Sequence, residues 1–186
     1  MSEVELIKRI LELANDPVRR TVIAQKAVSV GIQPSLQPLA PPATGSAVQD
    51  AEEQMGFAVP PLLAKLWTEV ANGGFGPGYG LFGIENGGGS ELSMSIPNLY
   101  FQSIEDASAD WPKRLVLICE WGCGYFSAID CSTPEGKVVN LVEDPERVAT
   151  GLTFAEWMED WVNGVDLWER DFGRLGLDPS GAATVR

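Results

Sequence analysis

The side chains that could do chemistry in this chain are carboxylates and thiols, since it carries 26 Asp and Glu, 3 Cys and no histidine. Without imidazole there is no Ser-His or Cys-His nucleophile pair, no ordinary general base near neutral pH, and no zinc site built on histidine. Glu156, Glu159 and Asp160 stand at i, i+3 and i+4 of a helical stretch and so share one face. Glycoside hydrolysis needs two carboxylates facing each other across ~5–9 Å of cleft. Neighbours on one helix face do not supply that, and the three read as a solvated acidic edge. Cys119, Cys123 and Cys131 are odd in number, lie in one apolar stretch and lack the paired spacing of a structural zinc site. They are expected to be buried thiols in a reducing compartment. Glu143-Asp144-Pro145-Glu146 lacks the alternating ligands and fixed glycine of a calcium loop. No catalytic residue, metal or cofactor is therefore expected.

The elements that would position these residues follow from periodicity and punctuation. Ser2 and Glu5 form a capping-box pattern ahead of Leu6, Ile7, Ile10, Leu11 and Ala14. Asp16 and Pro17 are the expected cap and first turn of a second helix that stops at Gly31. Four prolines within residues 32–46 read as a linker. A helix from Ser46 to Gly56 follows, and then one carrying Leu62, Leu63, Leu66, Trp67, Val70 and Ala71 up to the stop at Asn72-Gly73-Gly74. The Gly-rich run from Phe75 to Ile84 and the flexible Glu85 to Ser90 do not resemble a phosphate cradle. Helical and irregular character marks 99–109. Strands are expected over 115–120, 124–130 and 138–142, joined by connections short enough for hairpins. The continuous apolar run of the first suggests a central strand. A last helix begins at Thr153, boxed by Glu156, with Phe154, Trp157, Met158 and Trp161 facing the core. The expected organisation is a helical extension (1–31), a linker (32–46), a main domain (47–164) and a tail (165–186).

The stretch from Asp50 to Gly74, with Glu52 or Glu53, Gly56, Val59-Pro60, the 62–70 helix and Asn72-Gly73-Gly74, resembles the opening of the SUKH superfamily, named partly for the yeast Smi/Knr cell-wall regulator. The strand 115–119, the turn Gly122-Cys123-Gly124, and Ile129-Asp130 resemble its second motif. The likeness runs over residues 47–163. Trp121 stands where an acidic residue often precedes the turn, and a long insertion separates Phe82-Gly83 from Leu115. The resemblance implies an α+β fold with a mixed, largely antiparallel sheet and helices packed on it. It also implies function by protein binding, as an immunity protein that neutralises a cognate toxin or, alternatively, as a regulatory adaptor.

Charge gives an independent reason to expect a binding protein. Residues 50–178 carry a net −15, residues 1–49 a net +1, and the whole chain −13. Such a field repels nucleic acid and anionic membranes and steers a cationic partner, such as a basic toxin domain, toward the surface. Contact residues are sought in the loop with Glu85, Asn86 and Glu91, in the strand turn with Glu120 and Trp121, and in the acidic turn with Glu143 and Asp144. For Trp121, packing over the sheet end stands as the competing role. The N-terminus lacks the basic start and apolar run of a signal peptide, so a cytoplasmic location is expected.

Overall fold

Ser2 opens the first helix, its hydroxyl accepting a hydrogen bond from the Glu5 amide at 3.3 Å, and α1 (Glu3–Ala14) buries Leu6, Ile10, Leu13 and Ala14. That is the stripe the 3.6-residue period demands. The computed structural model describes residues 1–34, 38–88, 94–106, 111–143 and 146–173. The second helix starts later than expected. The Asp16 carboxylate turns back onto the amides of Val18 (2.9 Å) and Arg19 (3.3 Å), closing a turn around Pro17. Helix α2 (Val22–Ser29) is capped instead by Thr21, whose buried hydroxyl accepts from the Ala24 amide at 3.1 Å.

Helix α3 (Gly45–Met55) is capped by Thr44 and ended by left-handed Gly56. Pro61 opens α4 (Pro61–Lys65), a position where its missing amide is no loss. The helix then widens into a π turn over Leu66–Val70. The whole expected stripe, Leu62 to Ala71, is buried. The widened turn leaves Trp67 with no exposure, and its indole N–H donates to the Phe82 carbonyl at 3.0 Å.

Strands β1 (Leu115–Gly122), β2 (Tyr125–Asp130), β3 (Lys137–Glu143) and β4 (Glu146–Thr153) form a meander in that order, antiparallel in all three pairs. Among the described residues, parallel pairing is confined to one isolated bridge, Thr21 to Gly76. β4 is absent from the sequence expectation because Thr150-Gly151 reads as a break. Here the break is a bulge: Gly151 takes φ 79°, and the Thr150 hydroxyl donates to the Val138 carbonyl (2.9 Å) and accepts from the Leu152 amide (3.1 Å). β1 is not central either. It ends the strand order, and residues 79–82 run antiparallel along its outer edge. The Tyr79 amide donates to Glu120 O at 2.9 Å and the Phe82 amide to Ile118 O at 2.8 Å.

Helix α5 (Ile96–Asp106) packs on α3 and β1, while α6 (Phe154–Val162) packs on α1, β3 and β4. The start of the supposed tail, residues 165–173, folds as well. Asp166 caps α7 (Leu167–Asp171), which buries Leu167 and Trp168, with Phe172 fully buried after it. The architecture is α+β, with α1, α6, α7 and the sheet sharing one core.

At the start of α6 both bonds of the capping box form: the Glu156 amide to the Thr153 hydroxyl (3.3 Å) and the Thr153 amide to the Glu156 carboxylate (2.8 Å). The Thr153 amide, helped by its hydroxyl, holds the Glu156 carboxyl below the usual carboxylate range. A depressed native pKa stabilises the fold above the unfolded-state value, and this is lost as pH falls through the native value. Thr153→Ala should lower the unfolding free energy by about 1 kcal/mol at neutral pH. Urea titrations at neutral pH and in acid below the carboxylate range should show the gap from the parent chain narrowing in acid.

Candidate functional site

Two ends of the sheet carry the residues the sequence singles out. At one end, Asn72 does more than stop a helix. Its buried side-chain oxygen accepts from the Ile84 amide (2.9 Å), its side-chain amide donates to the Glu85 carbonyl (2.9 Å), and its own carbonyl accepts from the Gly88 amide (2.7 Å). The backbones around it touch so closely that a side chain does not fit. A Cβ on Gly73 would lie 2.5 Å from Gly88 O and 2.6 Å from Gly83 N, and one on Gly87 would lie 2.5 Å from Gly83 Cα. The segment expected to be flexible is therefore a tight turn as far as Gly88, closed by the Gly87 amide donating to Ile84 O at 2.8 Å. Glu85 and Asn86 are exposed at its tip. Asn86 takes φ 60°, a positive value of the kind the third residue of a type II turn adopts. Glu91 lies outside the described residues.

At the other end, β1 and β2 join through Cys123 and Gly124, with Gly122 paired to Tyr125. Both loop residues have positive φ, 53° and 81°, the requirement of a two-residue type I′ hairpin. Cys123 thus occupies a position suited to Asn, Asp or Gly, and it is exposed, against the expectation of three buried thiols. Burial pushes the other two, Cys119 and Cys131, up to about 12. Trp121 is the extra residue of a bulge between the Glu120–Phe126 and Gly122–Tyr125 pairs, and the bulge turns its ring inward. Its indole N–H donates to Ser127 Oγ (2.9 Å), which donates to Asn140 Oδ1 (2.7 Å), so the polar groups of a buried strip are satisfied in sequence. Trp121 itself is 4% exposed and meets Trp168 and Phe172 with ring centroids 6.0 and 5.6 Å away. Its packing over the sheet end is therefore realised, and any contact it makes with a partner is through the groove it floors.

That groove, of about 360 Å³, runs between α2 and the β1–β2 turn. Ile23, Lys26 and Val30 form one wall, and Tyr79, Trp121 and Trp168 face them. The Lys26 ammonium lies 5.4 Å from the Trp168 ring centroid. Glu120 sits half-buried beside the groove, its backbone holding the Tyr79 amide. The paired ends of β3 and β4, Glu143 and Glu146, lie at this same end of the meander. Glu143 ends β3 there, and Asp144 lies outside the described residues. Because residues 79–82 descend from Glu120 toward Ile118, the Glu85–Asn86 turn lies toward the opposite end. The fold thus sets Glu120 and Trp121 at the same end of the sheet as Glu143, and Glu85 and Asn86 toward the other. Sequence reasoning missed Lys26 and Trp168. The signal available was Asp166 three residues before Glu169, a cap that announces α7.

The carboxylates considered for catalysis are engaged structurally. Glu156 serves the capping box. Asp160 pairs with Arg170, which also binds Asp171, and Asp171 accepts from the Trp157 indole at 3.2 Å. Asp160, Arg170 and Asp171 line a cleft of about 470 Å³ beside Asn140 and Thr150. The guanidinium occupies the space between the two carboxylates that a substrate group or cation would need. Among the described residues no group of three or more Cys, Asp or Glu is placed to hold a metal ion.

A family model described as the SMI1 / KNR4 family (SUKH-1) matches residues 42–160. Among curated proteins none matches the chain. The wall of the groove contributed by α2, and Trp168 from α7, lie outside the matched span.

Three measurements check this geometry. Asn72→Ala leaves the buried Ile84 amide without its acceptor and should cost about 1–3 kcal/mol, read as a lower urea midpoint. Cys123→Gly relieves a left-handed L-residue and should raise stability by up to about 1 kcal/mol. Titration of the native chain with a thiol reagent should consume one thiol per chain, all three cysteines of the sequence reacting only after unfolding.

Proposed function

The chain belongs to the SMI1/KNR4 family (SUKH-1), and from that premise we propose that it is a non-catalytic protein-binding domain that neutralises a cognate bacterial toxin through an acidic surface. The observation that carries the reading is the segregation of charge, −15 over residues 50–178 against +1 over residues 1–49. A field of that sign speeds encounter with a basic partner, and a nuclease toxin is basic because its substrate is anionic. The rigid Glu85–Asn86 turn supports the same reading. A carboxylate presented on a backbone that is already ordered needs little further ordering when a partner arrives.

The unit proposed to act is residues 47–164, in the cytoplasm, where free thiols persist. No helix among the described residues is long and apolar enough to cross a membrane. The competing role, a regulatory adaptor, predicts binding without rescue from a toxin.

Co-expression with the toxic domain encoded next to this chain's gene should restore growth of the host and yield a complex that survives gel filtration. Absence of both overturns the immunity reading, and a complex without rescue favours the adaptor. Stopped-flow association should slow clearly between low and physiological ionic strength, and Glu85→Lys should slow it severalfold. A rate indifferent to salt contradicts the acidic-surface mechanism.

A further inference from the structure

Residues 17–49 contain Arg19, Arg20 and Lys26 and no carboxylate, within a chain of net charge −13. This stretch includes α2, and α2 with its flanks holds four of the exposed large apolar side chains: Val30 is 71% exposed, Ile32 60%, and Val18 and Val28 40% each. Single exposed apolar residues are ordinary. Val30 opens onto the aromatic-floored groove, an exposed apolar residue at a hollow of the kind that marks an interaction site, whereas Val18, Val28 and Ile32 line a separate hollow with Pro17 and Pro34. Lys26 is the one charged residue among those lining that groove.

We propose that the groove between α2 and the β1–β2 turn docks an amphipathic segment of a partner protein whose apolar residues enter against Val30, Tyr79 and Trp168 and whose carboxylates meet Lys26. Charge decides the occupant. Lys26 is the charge that faces the groove and α2 carries no carboxylate, so an acidic segment is favoured there over a basic one. A symmetric pairing of two copies through α2 would set Arg19 and Lys26 against their own images, which like-charge repulsion opposes. Lys26 is also held in place by its contact with Trp168, so little side-chain freedom is lost when a carboxylate arrives. The groove draws one wall and Trp168 from outside residues 42–160. It is therefore a surface this chain adds to the domain its family shares, and it stands whether or not the acidic surface meets a toxin.

The test uses the full chain and a panel of fluorescein-labelled amphipathic peptides, identical in their Leu and Phe positions and bearing either Glu or Lys elsewhere. Anisotropy should show the Glu peptides binding at least about tenfold more tightly than their Lys counterparts. Lys26→Glu should reverse that order. Val30→Asp, at an exposed position where folding is not at stake, should abolish binding with the melting temperature unchanged. Equal binding of the two sets, no binding of the Glu set, or indifference to both substitutions overturns the proposal. Sedimentation that reveals a dimer lost in Val30→Asp assigns the groove to a second copy and overturns it as well.

Discussion

The side chain of Asn72 is the constraint on which the rest of the domain depends. It joins the end of the π turn to the turn at 84–88 through buried hydrogen bonds to Ile84 and Glu85. That anchoring fixes the hairpin between Gly74 and Leu81, closed by the Gly74 amide to Leu81 O at 2.8 Å and the Leu81 amide to Phe75 O at 2.7 Å. The returning arm of the hairpin then covers the free edge of β1, where unpaired backbone groups would otherwise invite a foreign strand. The other side of the same hairpin receives the N-terminal turn of α2: the Gly76 amide donates to Arg20 O (2.8 Å) and the Ile23 amide to Gly78 O (3.3 Å). One amide side chain thus sets the sheet edge, the seat of α2 and, through α2, the wall of the groove.

What the sequence made legible was whatever rests on local period and capping. α1, α3 and α6 follow from apolar stripes and helix caps, and β1 to β3 from short apolar segments set between turn residues. The elements it hid depend on contacts distant in the chain. β4 survives its Thr150-Gly151 interruption only because the Thr150 hydroxyl reaches across to Val138. α7 holds because Trp168 and Phe172 find Trp121 and Tyr125 across the sheet end, with centroids 5.6–6.0 Å apart. Asn-Gly-Gly reads locally as a helix stop, and its clamp becomes visible only when Gly83 and Gly87 are folded against it. The inward turn of Trp121 is likewise the work of a bulge, which strict alternation cannot announce.

Charge and shape divide the surface in a way that composition alone obscures. The acidity belongs to the domain matched by the family, and the cationic apolar sector belongs to α2. The indole of Trp121 lies between them. It floors the groove on one side and, through Ser127, reaches Asn140 beside the cleft where Arg170 holds Asp160 and Asp171. Buried polar chains of this kind fix side-chain positions when every member is satisfied, so the floor of the groove is preorganised rather than adaptable.

The glycine frame around Asn72 also shapes how this molecule can diverge. Gly73, Gly83 and Gly87 leave no room for even a methyl group, and the positive φ of Asn86 narrows its alternatives to residues that tolerate the left-handed region. Glu85, exposed and under neither restriction, is the position in the turn where inherited variation can accumulate without disturbing the scaffold. A lineage under pressure from changing partners could rewrite that single side chain, including the sign of its charge, while the turn around it stays the same.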